Sequence, residues 1–261
     1  MQVVENLVTE TARAISFLSR LSVPDRFFAG HDGSLSRTVA GFPLAGLIIA
    51  LPAALIMALL SASGVDPVLV ALIGIGLQVM LTGALHEDGL SDTADGLGGG
   101  RSREKALAIM KDSRIGTYGA LALILSIALR VAALAILIET LPPLAMALAW
   151  LAAANLSRSL MVWHWSALPS ARPDGVAGSA GAPDPEATRI ALFLGGVLTA
   201  GIGLLALPFH AWFAAGLFAA GIVAAFTRHC RRRIDGHTGD TIGASQQLCE
   251  IAFLVALAII L

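Results

Sequence analysis

The residues with the plainest capacity for chemistry lie in HEDGLSDTADGLGGG, residues 86–100, where Asp88, Asp92 and Asp95 are spaced i, i+4 and i+7. On a helix turning about 100° per residue, Asp92 sits about 40° from Asp88 and Asp95 about 20° the other way, so three carboxylates share one narrow face. Like charges at these spacings repel unless a cation lies between them. Hard oxygen donors so arranged suit Mg²⁺ or Mn²⁺, which accept one or two carboxylates and take their other ligands from water and substrate phosphates. The expected chemistry is therefore that of a metal-bound pyrophosphate, with Asp88, Asp92 and Asp95 as metal ligands. His86 projects from the opposite side of the helix and Glu87 roughly 100° away, so neither is a first-choice ligand. The competing reading is an exposed helical extension whose acids meet solvent or a neighbouring cation. The glycines from Gly96 to Gly100 stop the helix, either as a backbone cradle for phosphate or as a flexible turn.

Two further clusters could serve the same anion. In MKDSRIGTYG, residues 110–119, Arg114 can clamp phosphate oxygens in a bidentate way, Lys111 adds a point charge, and Asp112 can orient either. In RRRIDGHTGDTIGASQQLCE, residues 231–250, Asp240 occupies a turn, and Gln246, Gln247 and Glu250 lie at i, i+1 and i+4 on the helix that follows. A glutamate about 10 Å into a bilayer needs a partner or a wet cavity, which makes Glu250 a functional candidate and Arg158 its counter-ion. A purely structural Glu-Arg pair locking two helices is the other reading. Lys111, Asp112, Arg114, Arg158, Gln247 and Glu250 form the expected substrate-binding set. His164, between Trp163 and Trp165, reads as part of an aromatic membrane anchor, and Arg130 has no assigned role.

The elements that must position these residues are apolar. Of 261 residues 56% are hydrophobic and 13% charged, and the mean hydropathy is +0.80, whereas soluble domains carry roughly 25% charge. This excludes an ordinary soluble enzyme. Apolar runs long enough to span a bilayer lie near 39–63, 67–85, 117–138, 143–162, 190–207, 209–227 and 243–261. The last is the weakest, because Gln246, Gln247 and Glu250 leave a purely apolar part too short to cross alone. The fold class is all-α: a polytopic helical bundle of six or seven spans, one membrane domain over 1–261. An N-terminal helix lies at the interface, with Val4, Leu7, Val8, Ile15 and Leu18 opposite Glu5, Arg13 and Ser16. Glu5 and Glu10 argue against a signal peptide.

Cations occur in the N-terminal segment and in alternate loops, while the short loops near Gly64, Leu141 and Pro208 carry none. The N-terminus and the loops bearing the candidate residues are thus expected to face the cytoplasm. Seventeen Lys and Arg against eighteen Asp and Glu leave no basic surplus for nucleic acid. Cys230, in a basic loop, and Cys249, in an apolar run, form no CxxC pair. HExxH, GxSxG and Walker A patterns do not occur.

Five blocks carry a family resemblance: FLSRLSVP at 17–24, FPLAG at 42–46, HEDGLSDTADG at 86–96, IMKDSRIGTYGALAL at 109–123 and TGDTIGASQQLCE at 238–250. In this order, and over most of the chain, the sequence resembles the cobalamin synthase family, the adenosylcobinamide-GDP ribazoletransferases. Ser22 stands where that family usually shows proline, and Asp235 and His237 make the turn around Gly236 more polar than its pattern. The resemblance implies transfer of adenosylcobinamide phosphate from its GDP conjugate to α-ribazole or its 5′-phosphate, releasing GMP with Mg²⁺. It implies small-molecule substrates and a bacterial inner membrane as the surrounding lipid bilayer, with a homo-oligomer left open. Asp88 and Asp240 are then the catalytic expectations, Asp240 as a further ligand or base. A CDP-alcohol phosphotransferase is the nearest alternative, but its DG is followed by AR, and here Asp88-Gly89 is followed by Leu90-Ser91. A transporter would bury its acids near the midplane, in broken helices.

Overall fold

The computed structural model describes residues 2–172 and 180–261, with side chains from Glu5 onward. Among these residues there are ten α-helices, two short 3₁₀ turns and no strand, so the fold is all-α as expected. The helices are α1 (Gln2–Leu18), α2 (Phe42–Ala62), α3 (Pro67–Thr82), α4 (Leu85–Gly99), α5 (Arg103–Met110), α6 (Thr117–Thr140), α7 (Pro143–Ser166), α8 (Pro185–Ala206), α9 (Phe209–Ile234) and α10 (Gly239–Ile260).

Local chemistry sets many of the boundaries. Prolines whose missing N–H would be unused anyway open α3, α7 and α8. Asp66 and Asp184 cap α3 and α8 by accepting backbone N–H groups of the first turn. Thr238 caps α10 through a reciprocal pair with Thr241.

Six helices, α2, α6, α7, α8, α9 and α10, are long and apolar enough to cross a membrane, and the chain is a multi-pass membrane protein. About 72% of the apolar window of α7 and of α10 is buried, against 22% for α8 and α9, so α7 and α10 form the centre of the bundle. The centre is built from small residues: Ala147, Ala149, Ala152, Ala153 and Ala154 on α7 let α2, α8 and α10 approach closely.

The structure moves the weak point of the span assignment. The C-terminal run forms a 22-residue helix, α10, whose polar residues face inward. The second run breaks instead. α3 has 16 residues, about 24 Å where a bilayer core needs about 30 Å. Gly83 and Ala84 then adopt left-handed conformations, φ 64° and 59°, and α4 leaves at 90°. The Gly83 and Ala84 N–H groups close the end of α3 by donating to the carbonyls of Met80 (3.3 Å) and Val79 (3.0 Å). α4 is thus a polar helix laid across the bundle and not one of the six crossing helices.

The loops that bear the cations meet at one end of the molecule. Arg103 Nε donates to the Ile234 carbonyl at 2.9 Å and its Nη2 to the Ala171 carbonyl at 3.0 Å. Arg233 reaches the carbonyls of Leu97 and Gly100, and the Ala171 N–H donates to the His237 carbonyl at 2.8 Å. Arg20 joins the same end, its N–H donating to the Leu81 carbonyl at 2.8 Å. Cys230 lies buried within α9, because the basic stretch expected to be a loop continues that helix to Ile234. α1 turns Ala14 and Leu18 into a small core with Val39, Phe42 and Trp165 and leaves Val8 and Phe17 exposed; Val4 lies outside the described side chains.

Candidate active site on the aspartate helix

α4 is continuous from Leu85 to Gly99, so Asp88, Asp92 and Asp95 do share a face. The glycines do not form a loop: Gly96 to Gly99 are helical and only Gly100 ends the helix. Their role is close packing, since a Cβ at Gly96 would collide with Met110 and one at Gly100 with Ala106, both of α5. Neither the cradle nor the flexible turn is what the structure contains.

The three aspartates occupy different surroundings. Asp88 is exposed, Asp92 half-buried and Asp95 buried. Asp95 accepts the Gly116 N–H at 2.6 Å and the Gly119 N–H at 2.9 Å, so both its oxygens meet the start of α6. A fourth carboxylate joins from the first turn of α10, where Asp240 is helical and not in a free turn. Gly89 makes this possible, because a Cβ there would lie 2.7 Å from the Asp240 carbonyl oxygen. The Thr238 hydroxyl donates to Asp240 Oδ2 at 3.1 Å, and Arg172 Nη1 stands 3.7 Å from the same oxygen. Arg172 is anchored from behind by the Leu107 carbonyl.

The electrostatics follow from this crowding. Partial burial, then Asp88, Asp240 and Asp95, push the Asp92 carboxyl up to about 6, with Arg172 opposing. Burial lowers His237, in the turn before α10, to about 4, which keeps it neutral. Among the described residues no three His, Cys, Asp or Glu side chains are gathered into a ready set of metal ligands. The donors nonetheless fit magnesium. Asp88 and Asp92 supply hard oxygens in an uncompensated acidic field, and this ion takes its remaining ligands from water and phosphate.

Lys111 and Arg114 are exposed on the segment between α5 and α6. Arg114 Nη2 pairs with Asp112 Oδ2 at 2.6 Å, and this contact holds the Asp112 carboxyl down at about 2. Asp112 is thus the partner of Arg114 on this segment.

Arg158, Gln247 and Glu250 are brought together, but behind the aspartate helix and fully buried. Arg158 Nη1 lies 2.9 Å from Glu250 Oε2, the pairing expected. Arg130 Nη1 bridges Glu250 Oε1 at 3.3 Å and Glu87 Oε1 at 3.1 Å, and Gln247 Nε2 donates to Glu87 Oε1 at 3.1 Å. Gln246 and Ser126 complete the cluster, which joins α4, α6, α7 and α10. Arg130 and Glu87 are thus essential members that sequence reasoning passed over. The available signal was that an arginine inside a span requires a carboxylate, and Glu87 was unassigned.

His164 is buried and not a membrane anchor: Nδ1 contacts the Thr227 hydroxyl at 2.8 Å and Nε2 the Thr241 hydroxyl at 3.3 Å, tying α7 to α9 and α10. Its neighbour Trp165 is buried against Phe42 and His237. Arg172 is the residue that sequence reasoning missed at the site itself; no local motif marks it.

A model of the cobalamin-5-phosphate synthase family matches residues 10–258. An adenosylcobinamide-GDP ribazoletransferase of Rhizobium etli is 54% identical over 98% of both chains. That of Sinorhizobium medicae is 55% identical over 96% of both, and that of Brucella anthropi 41% over 98% of both. No solved structure matches. With the family model and these relatives covering nearly all of it, the chain belongs to the cobalamin-5-phosphate synthase family.

Proposed function

We propose that this chain, acting over 1–261 as one membrane domain, is a Mg²⁺-dependent phosphotransferase. It joins adenosylcobinamide-GDP to α-ribazole or α-ribazole 5′-phosphate and releases GMP, giving adenosylcobalamin or its 5′-phosphate. The name printed for its relatives supplies the reaction. The observation that carries the reading is the acidic field in which three carboxylates and one guanidinium act on Asp92. Such a surplus suits a cation that brings a pyrophosphate with it.

Asp88 and Asp92 would hold the metal. When bound, Mg²⁺ neutralises the pyrophosphate and the leaving GMP phosphate. Arg172, Lys111 and Arg114 contact phosphate oxygens and orient the phosphorus for in-line attack. The attacking ribose hydroxyl of the ribazole forms the new P–O bond at the cobinamide-side phosphorus, the bridging P–O bond breaks, and its electron pair leaves with GMP. Asp240 takes the hydroxyl proton, because it is held by Thr238 and faces Arg172 at the edge of the same acidic cluster. The loops bearing these residues are rich in cations, which supports a cytoplasmic orientation of the site and the N-terminus in a bacterial inner membrane.

The test is GMP release from adenosylcobinamide-GDP by the purified, lipid-reconstituted chain. The expected result is release that requires both α-ribazole 5′-phosphate and Mg²⁺ and stops with a chelator. Folded protein that never releases GMP would overturn the reading, and CDP-alcohols would be tried next.

A further inference from the structure

We propose that Asp95 is a positioning residue and not a metal ligand: its carboxylate docks the start of α6 onto α4 and so holds the Lys111–Arg114 segment beside Asp92. The proposal deepens the phosphotransferase reading and rests on it for the purpose of that segment, though not for the docking itself.

Gly116, at the N-cap of α6, has no side chain with which to satisfy the first N–H groups of that helix. Asp95 supplies the missing cap from another helix, accepting from Gly116 at 2.6 Å and Gly119 at 2.9 Å. A carboxylate at the positive end of a 24-residue helix is favourably placed. The fit excludes side chains on the other partner. A Cβ at Gly116 or Gly119 would collide with the Asp95 carboxylate, and at Gly119 also with the Ser91 hydroxyl.

The link from Lys111 to Gly116 is therefore pinned at both ends to one turn of α4. Before it, Met110 packs against Gly96; after it, Gly116 is bonded to Asp95, and Tyr118 packs against Gly98. The link is thereby held against the turn Asp95–Gly98, which follows Asp92 on α4 by about one helical turn. Both oxygens of Asp95 are directed at α6, whereas Asp88 is open to solvent.

The experiment compares D95A, D95N and G119A with D88N in the lipid-reconstituted chain. It measures GMP release, the Mg²⁺ midpoint, KM for adenosylcobinamide-GDP, and the unfolding temperature in chelator. Asparagine remains a good helix cap with an acceptor oxygen, whereas it is a poor substitute for a metal ligand. D95A and G119A should lower the unfolding temperature in chelator and raise KM about tenfold or more, as a small displacement of a positioned group does, while the Mg²⁺ midpoint stays within about twofold of the parent. D95N, which keeps one acceptor oxygen of the two, should recover only part of the loss, and D95A combined with G119A should be little worse than either alone. The proposal fails if D95N shifts the Mg²⁺ midpoint as far as D88N does while leaving metal-free stability unchanged. It fails equally if D95A is indistinguishable from the parent. Should the parent release no GMP at all, the phosphotransferase reading fails, and the unfolding temperatures and the double substitution still decide the docking.

Discussion

The two faces of α4 carry carboxylates one residue apart and treat them in opposite ways. On the inner face Glu87, with Glu250 of α10, meets Arg130 and Arg158: two acids, two guanidinium groups, all buried and within 3.3 Å of a partner. On the outer face Asp88, Asp92, Asp95 and Asp240 gather around Arg172, the guanidinium that acts on Asp92 and faces Asp240. The inner group is electrically complete and joins four helices. The outer group sets four acids against the Arg172 guanidinium and opens to solvent at Asp88. Charge balance, more than residue type, distinguishes the two groups here.

The contrast is most sharply tested at Glu250. Replacing it with glutamine leaves two buried guanidinium groups facing one carboxylate, a loss of about 3–5 kcal/mol. The unfolding temperature in detergent should fall markedly, and less protein should survive as a single species in size exclusion. If E250Q instead keeps its stability and its Mg²⁺ midpoint but loses turnover, the inner face touches substrate and the division between the faces collapses.

Asp88→Asn should do the reverse. GMP release falls by about 10²–10³-fold, as when a group that stabilises developing charge is lost, while the unfolding temperature in chelator is unchanged or slightly raised, because a repelling charge has gone. A parallel fall in stability would remove the distinction between an open and a closed carboxylate.

A smaller effect follows from Asp92. Its carboxyl, raised from 3.8 to about 6 by burial and by its acidic neighbours, keeps its proton up to about pH 6 when no metal is present. Mg²⁺ must displace that proton, so the Mg²⁺ midpoint should rise as pH falls below about 6 and level off above it. Metal-free protein should lose a little stability as pH rises from 3.8 toward 6, since the folded state binds the proton more tightly than the unfolded one. Midpoints at pH 5.5 and 7.5 that agree would show that Asp92 does not meet the ion.

These faces were unequally legible in the sequence. Asp88, Asp92 and Asp95 sit within eight residues, and helical periodicity alone aligns them. The bundle was legible too, because twenty apolar residues in a row admit few other fates. The inner cluster was only half visible: Glu250 announces itself by its cost in a bilayer, but its partners Arg130 and Arg158 are 120 and 92 residues away, and Glu87 is 43 from Arg130. No local pattern encodes such pairings. Gly96 to Gly99 read as a helix stop because glycine weakens helices, yet α5 packs so closely against them that tertiary contact overrides propensity. The break at Gly83 escaped for the same kind of reason. The apolar run continues past it to Leu85, and only the αL pair and the contact with Arg20 turn the chain aside.

That right-angle turn sets how a substrate can be received. α4 leaves α3 at 90°, so the two helices cannot follow the same direction through a bilayer. Its carboxylates are therefore arrayed across the direction of α3, with Asp88 and Asp95 about 10 Å apart along the helix, where an uninterrupted helix would have strung them along it. A bulky macrocycle and a charged nucleotide can be laid down side by side along such a shelf, each keeping its own hydration until the bond between them changes hands.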